Sequence, residues 1–424
     1  MNWQDIRKAW SDKPIQLGLD RVARVRNSLG VAQSPPVVIT VGGTNGKGST
    51  CAMLESILLT SGYKVGCYTS PDFLHFGERI RVNGTPASDA QLQQGFEFVA
   101  ADAGADSLSA FELETLAALK IFEDASLDVW ILEVGLGGRL DAVNIIDADV
   151  AIVTSVDLDH KEYLGDTREA IGFEKAGIFR AGKTAICGDP VPPQSLIDHA
   201  QSIGADLWLF GRDFNYSGDK QQWSYGGREQ RRNALAYPSL RGANQLLNAS
   251  AALAALEALR LRLPVGAQEV RTGLVTVELP GRFQVLPGRP AVILDVAHNP
   301  HAAATLAQNL DNMGFHRYTY AVFGAMRDKD INGMLVHLKG RIDHWCLTDL
   351  PLPRAATASE LKECLRHAGI VATPDGESSV STFDTPAAAY ENALSRAGEN
   401  DRIAVFGSFV TVAGVMKVKQ SHNH

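Results

Sequence analysis

Pro36-Val37-Val38-Ile39-Thr40-Val41-Gly42-Gly43-Thr44-Asn45-Gly46-Lys47-Gly48-Ser49-Thr50 is the stretch on which the reading of this chain turns. The apolar, β-branched run at 37–41 predicts a strand. A glycine-rich loop follows, carrying one lysine, Lys47, and ending in the hydroxyls of Ser49 and Thr50. Cys51-Ala52-Met53-Leu54-Glu55-Ser56-Ile57-Leu58-Leu59 then continues as a helix. A strand that feeds a glycine loop opening a helix is a cradle for phosphate. Its loop N–H groups and the positive end of the helix dipole face the anion, and Lys47 adds a full charge. The spacing departs from the ordinary phosphate loop, G-x-x-x-x-G-K-[ST]. Val41 stands where the first glycine would be, and Gly48 separates Lys47 from Ser49. This is a variant nucleotide loop.

Outward from the loop, strand-like runs alternate with helical patterns. Strands are expected at 37–41, 64–69, 129–134, 150–155, 184–187 and 207–210, with a helix at 112–123. Such alternation predicts an α/β fold with a mainly parallel sheet and helices on both faces. Residues 214–236 are polar, aromatic and turn-rich, which predicts a small antiparallel insertion, and the Ala/Leu-rich run 244–260 reads as a helix. Pro and Gly then punctuate twice, at Leu279-Pro280-Gly281-Arg282-Phe283 and Pro287-Gly288-Arg289-Pro290, which marks a linker. The alternation restarts beyond it: strands at 291–295, 318–323, 344–348 and 402–406, helices at 301–313, 330–338 and 386–396. A P-loop-type domain over 1–283 and a smaller, Rossmann-like α/β domain over 284–424 are therefore expected.

A chain of 424 residues has room for about two or three domains. Its net charge of −8 argues against a sequence-independent nucleic-acid binder, which needs a basic face. The five cysteines are scattered and include no C-x-x-C pair, so neither a disulfide framework nor a zinc knuckle is indicated. The N-terminal residues lack the basic-then-apolar order of a secretory signal, and no apolar run is long enough for a bilayer. The expectation is a soluble cytoplasmic protein without a membrane partner.

Several polar residues fall at predicted strand ends, where open α/β sheets bind ligands. Thr69-Ser70-Pro71 ends the second strand; on its own, Ser70 reads as a turn cap. Glu133 lies inside an apolar run and is followed by Gly135, Gly137 and Gly138. Burying that carboxylate is costly unless it is paired or metal-bound, so metal binding is favoured over a satisfied core carboxylate. His160 closes Thr154-Ser155-Val156-Asp157-Leu158-Asp159-His160, where a lone histidine is usually structural or solvated. Lys175, in Glu174-Lys175-Ala176-Gly177-Ile178, reads as a solvated helix lysine, a counter-charge to phosphate, or a carbamylated anionic metal ligand. In Asp295-Val296-Ala297-His298-Asn299-Pro300-His301 the polar groups could face a nucleotide, or Asn299 could simply cap a helix with Pro300 in its first turn. Arg282 reads as a phosphate contact or a surface arginine.

Together these segments resemble the Mur ligase superfamily and, within it, the folylpolyglutamate synthase/dihydrofolate synthase family. The resemblance runs from about Leu17 to Val415. It rests on Gly43-Thr44-Asn45-Gly46-Lys47-Gly48-Ser49, Thr69-Ser70-Pro71, Glu133-Val134-Gly135-Leu136-Gly137-Gly138-Arg139-Leu140-Asp141-Ala142, Asp159-His160, Glu174-Lys175-Ala176-Gly177-Ile178, Leu279-Pro280-Gly281-Arg282, Asp295-Val296-Ala297-His298-Asn299-Pro300 and Asp328-Lys329-Asp330. It implies an ATP-binding domain followed by a ligase domain. It also implies an ATP-dependent ligase that phosphorylates a carboxylate and lets the amine of L-glutamate attack the acyl phosphate. The substrates implied are dihydropteroate, tetrahydrofolates, L-glutamate and ATP, and the state implied is a monomer. Carried over by resemblance, Asn45, Gly46, Lys47, Gly48 and Ser49 hold the ATP phosphates, and Asn244, Arg282 and Asp295 contact ATP. Ser70, Glu133 and His160 bind Mg²⁺, with two Mg²⁺ sites and K⁺ as a further candidate ion. Lys175 is the carbamylated lysine, and Lys47, Lys175 and His160 form the catalytic set. The pterin site draws on Leu17-Gly18-Leu19, Ser109-Ala110-Phe111-Glu112 and Leu140-Asp141-Ala142.

The sequence departs from the family at Asp72, where a histidine is usual, at Phe173, where a polar residue is usual, and at Ala110, where the bifunctional enzymes tend to carry an aromatic. These changes leave the ATP motifs intact and bear on pterin recognition. The leading expectation is a bifunctional dihydrofolate and folylpolyglutamate synthase; a monofunctional folylpolyglutamate synthase is the alternative. A peptidoglycan ligase fits less well, since the segment before residue 37 is short by ordinary domain sizes. A nucleotide-dependent switch would leave Glu133, His160 and Lys175 without a task.

Overall fold

The computed structural model describes residues 2–11, 13, 16–102, 104–219, 221–373 and 378–422. They divide into two compact units, residues 1–239 with 245–278, and residues 240–244 with 279–424. The division falls at Glu278/Leu279, at the start of the predicted linker and a few residues before the expected 283/284 boundary, and it assigns the short segment 240–244 to the second unit.

The first unit is built on an eight-stranded sheet. Its strands are β1 (Val37–Gly42), β2 (Val65–Tyr68), β3 (Ile80–Val82), β4 (Thr85–Pro86), β5 (Val129–Glu133), β6 (Val150–Val153), β7 (Thr184–Cys187) and β8 (Asp206–Leu209), in the order β4-β3-β2-β5-β1-β6-β7-β8. From β2 to β8 every neighbouring pair is parallel; β3 and β4 add an antiparallel edge. All six residues of β1 are buried, as expected of a central strand covered on both faces. Helix Lys47–Thr60 leaves β1 and packs against helices Gln245–Ala258 and Ala267–Thr276. It is buried almost all round, from Ser49 to Leu58.

The expected insertion is a three-stranded antiparallel sheet of β9 (Asn215–Gly218), β10 (Trp223–Gly226) and β11 (Arg231–Leu235), in the order β11-β10-β9. Glu257, on helix Gln245–Ala258, ties it down. Its carboxylate accepts the Tyr225 hydroxyl at 2.7 Å and the N–H groups of Glu229 and Gln230 at 2.6 and 3.0 Å.

The second unit carries a six-stranded sheet of β12 (Gln284–Leu286), β13 (Ala291–Leu294), β14 (Thr319–Phe323), β15 (His344–Thr348), β16 (Ser379–Phe383) and β17 (Arg402–Phe406), in the order β12-β13-β17-β14-β15-β16. Only β12 runs antiparallel to its neighbour. The predicted strands and helices here agree with the observed ones to within a residue or so at their ends, while β12, β16 and the helices Ala358–His367 and Phe409–His422 were not foreseen. Four of the five cysteines are buried and none is bonded to another. Among the described residues, no helix is long and apolar enough to cross a membrane.

Candidate active site

The register of the first sheet brings the sequence motifs together before any side chain is considered. Val41 pairs with Glu133 on β5, Gly42 pairs with Val153 on β6, and Tyr68 on β2 pairs with Leu132. These four strands are adjacent and parallel. The residues that follow them, Gly43–Lys47, Ser70, Val134–Asp141 and Thr154–His160, therefore leave the sheet along one edge, the edge at which such folds bind ligands.

The phosphate loop is braced from β6. Thr44 N–H donates to the Ser155 carbonyl at 2.8 Å, and Asn45 N–H donates to Ser155 Oγ at 3.1 Å. Thr154 Oγ1 donates to the Asn45 carbonyl at 2.6 Å. Two glycines are required by this packing. Gly43 has φ +140°, and a Cβ there would overlap Thr154 Oγ1. Gly46 caps the helix at φ +87°, and a Cβ there would overlap Asn248 Oδ1. Lys47 Nζ donates to the Gly43 and Thr44 carbonyls at 3.0 and 3.2 Å, so the ammonium is held over the loop. Ser49 is buried, and its Oγ accepts from Gln245 Nε2 at 3.4 Å; Gln245 Oε1 in turn accepts from Asn248 Nδ2 at 3.1 Å.

Glu133 is only 4% exposed, and its Oε2 accepts the backbone N–H of Ser70 at 3.2 Å. The structure thus joins two of the three residues expected to bind metal. His160 lies on the loop after β6 with a left-handed backbone, φ +49°; its N–H donates to Asp159 Oδ1 at 2.9 Å, and its ring lies 3.9 Å from Asp159 Oδ2. Among the described residues, no three His, Cys, Asp or Glu side chains converge.

Lys175 is buried, which removes the reading of a solvated helix lysine. Burial, followed by the charge of Lys47, lowers its amine from 10.5 to about 7, with Asp159 and Asp141 opposing. Lys47, Asp141 and Asp159 therefore all act on Lys175 electrostatically, and Lys47 acts on Asp141. The neighbouring Glu174 is committed elsewhere, to Arg139 at 2.8 Å.

The segments expected around the pterin also meet. Gly18 N–H donates to the Leu140 carbonyl at 3.4 Å, and Arg21 pairs with Glu112 at 3.0 Å. Ser109 and Glu112 form a capping box at the start of helix Ala110–Asp124, so both are used structurally, and Ala110 is the first residue of that helix. Phe111 stacks on Tyr68 at 5.9 Å. Asp141 caps the short turn Ala142–Ile145, accepting from Val143 at 3.0 Å and from Leu136 at 2.8 Å; burial pushes its carboxyl up to about 6. Asp72 pairs with Arg79 at 2.6 Å, and Arg79 also holds the buried Glu114 at 2.8 Å. Burial alone would raise the Asp72 carboxyl, but Arg79 holds it below the usual range.

In the second unit, Asp295 follows β13 and accepts the N–H groups of Phe283 and Ala297 at 2.9 and 2.8 Å. Its carboxyl is pushed up to about 6 by burial, against those bonds and the Arg282 charge. Arg282 lies 5.0 Å from the ring centre of Phe409, and Asn244 Nδ2 donates to Thr305 Oγ1 at 3.3 Å. Asn299 caps helix Pro300–Asn312 with Pro300 at its start, so the cap reading holds.

The sequence did not disclose Gln245 and Asn248, the buried amides behind the loop. Their spacing of three puts them on one face of an otherwise Ala/Leu-rich helix, where only the presence of amides among small residues sets them apart.

Residues 41–256 match the family model of the Mur ligase middle domain, and residues 281–409 match that of the Mur ligase glutamate ligase domain. Fold, loop and matches together define the class as Mur ligases. The dihydrofolate synthase/folylpolyglutamate synthase of Escherichia coli (strain K12) is 45% identical over 417 residues, covering 98% of this chain and 94% of its own length. The E. coli FolC structure in complex with DHPP and ADP superposes with a TM-score of 0.92 at 43% identity, covering 100% of this chain and 98% of that one. A bifunctional folylpolyglutamate synthase/dihydrofolate synthase solved with Mn, AMPPNP and L-glutamate bound has a TM-score of 0.90 at 41% identity, covering 99% and 98%. The chain belongs to the dihydrofolate synthase/folylpolyglutamate synthase family of Mur ligases.

Proposed function

We propose that this chain is a bifunctional ligase that cleaves ATP to ADP and phosphate. It joins L-glutamate to dihydropteroate, forming dihydrofolate, and extends folates as a γ-glutamyl chain. The observation that carries the reading is the buried carboxylate of Glu133, hydrogen-bonded to Ser70 and level with Val41 at the mouth of the phosphate loop. A nucleotide-binding loop alone would not require it.

Phosphoryl transfer depends mainly on positioning and charge neutralisation. Lys47, Asn45, the loop N–H groups of Gly46 and Gly48 and the Ser49 hydroxyl hold the ATP phosphates, and the helix dipole reinforces them. Asn244, Arg282 and Asp295, in the second unit, are the further residues that the family resemblance assigns to ATP. The substrate carboxylate attacks the γ-phosphorus and ADP leaves. The glutamate amine then attacks the acyl carbon, loses its proton and expels phosphate. The substrates supply carboxylate and amine, so no nucleophilic serine or cysteine is needed. The pterin-bearing substrate lies against Leu17, Gly18, Ser109–Glu112 and Leu140–Ala142.

Mg²⁺, at two sites, neutralises charge on the phosphates when bound, with K⁺ as a further candidate ion. The donor set suits a hard ion that keeps waters and phosphate oxygens in its shell: Ser70 and Glu133 offer oxygen, His160 a nitrogen, and no larger cluster converges among the described residues. An amine near 7 is substantially neutral at physiological pH, the form that adds to CO₂, so Lys175 is suited to become a carbamate. A monofunctional folylpolyglutamate synthase is the second reading, favoured by the small Ala110 at the start of its helix. The reading includes a cytoplasmic monomer. Substrate labelled with ¹⁸O in its carboxylate tests the route: the acyl phosphate predicts one label in the released phosphate, and unlabelled phosphate contradicts it.

A further inference from the structure

The antiparallel insertion carries a feature that ligation does not use. Between β11 and the start of helix Ala267–Thr276 lies an open cavity of about 540 Å³, lined by Glu229, Arg231, Arg232, Asn233 and Arg271 among others. Three arginines around one cavity stand out in a chain of net charge −8. The contacts of Arg232 and Arg271 are with neutral groups: Arg232 Nη2 donates to Gln230 Oε1 at 3.2 Å and to the Val265 carbonyl at 3.1 Å, and Arg271 Nη2 to the Asn233 carbonyl at 3.4 Å. The carboxylates nearby are engaged with other groups. Glu229 pairs with Arg260, and Glu257, whose charge also acts on Arg232, is hydrogen-bonded to Tyr225 and two backbone N–H groups. Glu269 lies beside Gly266 at the helix start, where its carboxylate offsets the positive end of the helix dipole.

Guanidinium groups match carboxylate and phosphate oxygens in a two-pronged geometry, and a half-buried pair of like charges is relieved by an anion between them. We propose that this cavity binds a small multivalent oxyanion, bearing two or more carboxylates or phosphates, at a site separate from the phosphate loop. The two chemical sources are an oligo-γ-glutamyl chain and a polyphosphate.

Calorimetric titration of the full chain carrying Lys47→Ala, which weakens phosphate binding at the loop, separates this site from the active site. The probes are penta-γ-glutamate, which has no pterin, and inorganic tripolyphosphate. One-to-one binding of either is expected, and the probe that binds identifies the source. Adding Arg232→Gln and Arg271→Gln should weaken it about tenfold or more, as expected for losing hydrogen bonds to a charged group. Arg231→Gln alone, at an exposed position, should weaken it measurably even if the double substitution fails to fold. No binding of either probe, or an affinity unchanged by Arg231→Gln, would overturn the proposal. Neither result bears on ligation, which is measured separately.

Discussion

The N–H of Ser70 and Oε2 of Glu133 lie 3.2 Å apart, joining the end of β2 to the end of β5 beside the phosphate loop. Glu133→Gln keeps the shape and an oxygen to accept that N–H while removing the charge. Turnover should fall on the order of 10²–10³-fold, the loss usual when one electrostatic partner of a transferring group is removed. The melting temperature should not fall, because a buried amide costs less than a buried carboxylate. Steady-state ADP release and a thermal melt check both; wild-type turnover would remove Glu133 from the site.

Gly46 and Asn248 make a paired test. Gly46→Ala should destabilise the chain by about 1–3 kcal/mol, combining the left-handed backbone with the overlap on Asn248. Adding Asn248→Ala should relieve the overlap but leave the backbone strain, about 1–2 kcal/mol. Urea unfolding reads the difference, and the second substitution should therefore be less harmful in the Gly46→Ala background than in wild type.

Lys175 gives a pH dependence with a definite sign. The unfolded chain binds its proton up to 10.5, the folded chain only to about 7. The stability contribution is present above 10.5 and is lost as the pH falls through about 7, so it rises with pH between those values. Lys175→Met should flatten that rise when urea midpoints are compared at mildly acidic and alkaline pH. A parallel shift of both midpoints would contradict the burial argument. Carbamate formation acts in the same direction, so CO₂-free buffer isolates the proton.

Glu257→Leu should loosen the insertion. It orphans the Tyr225 hydroxyl and the N–H groups of Glu229 and Gln230, each costing about 1–3 kcal/mol where the group stays buried. Hydrogen exchange should quicken in β9–β11 while β1 and β5 remain protected. Uniform quickening would mean that the insertion does not open on its own.

Much of this was legible in the sequence because parallel strands buried on both faces are continuous apolar runs: β1, β5, β6 and β7 were found for that reason. β3, β12 and β16 are short or only partly buried, and so lack that signature. The candidate site residues Lys47, Ser70 and Glu133 stand out in the sequence because each follows or ends such a strand. The burial of Lys175 could not, since a lysine in an amphipathic helix gives no sign of which face it occupies. Asp141 and Glu112 were expected to touch substrate; the structure shows each first as a helix cap, a role that motif letters alone do not separate from binding.

The most direct test is ADP release by the purified chain with ATP and L-glutamate, comparing dihydropteroate with tetrahydrofolate as the carboxylate substrate. Glutamate-dependent release with both is predicted. Release with tetrahydrofolate alone would leave a monofunctional folylpolyglutamate synthase, and release with neither would contradict the ligase account.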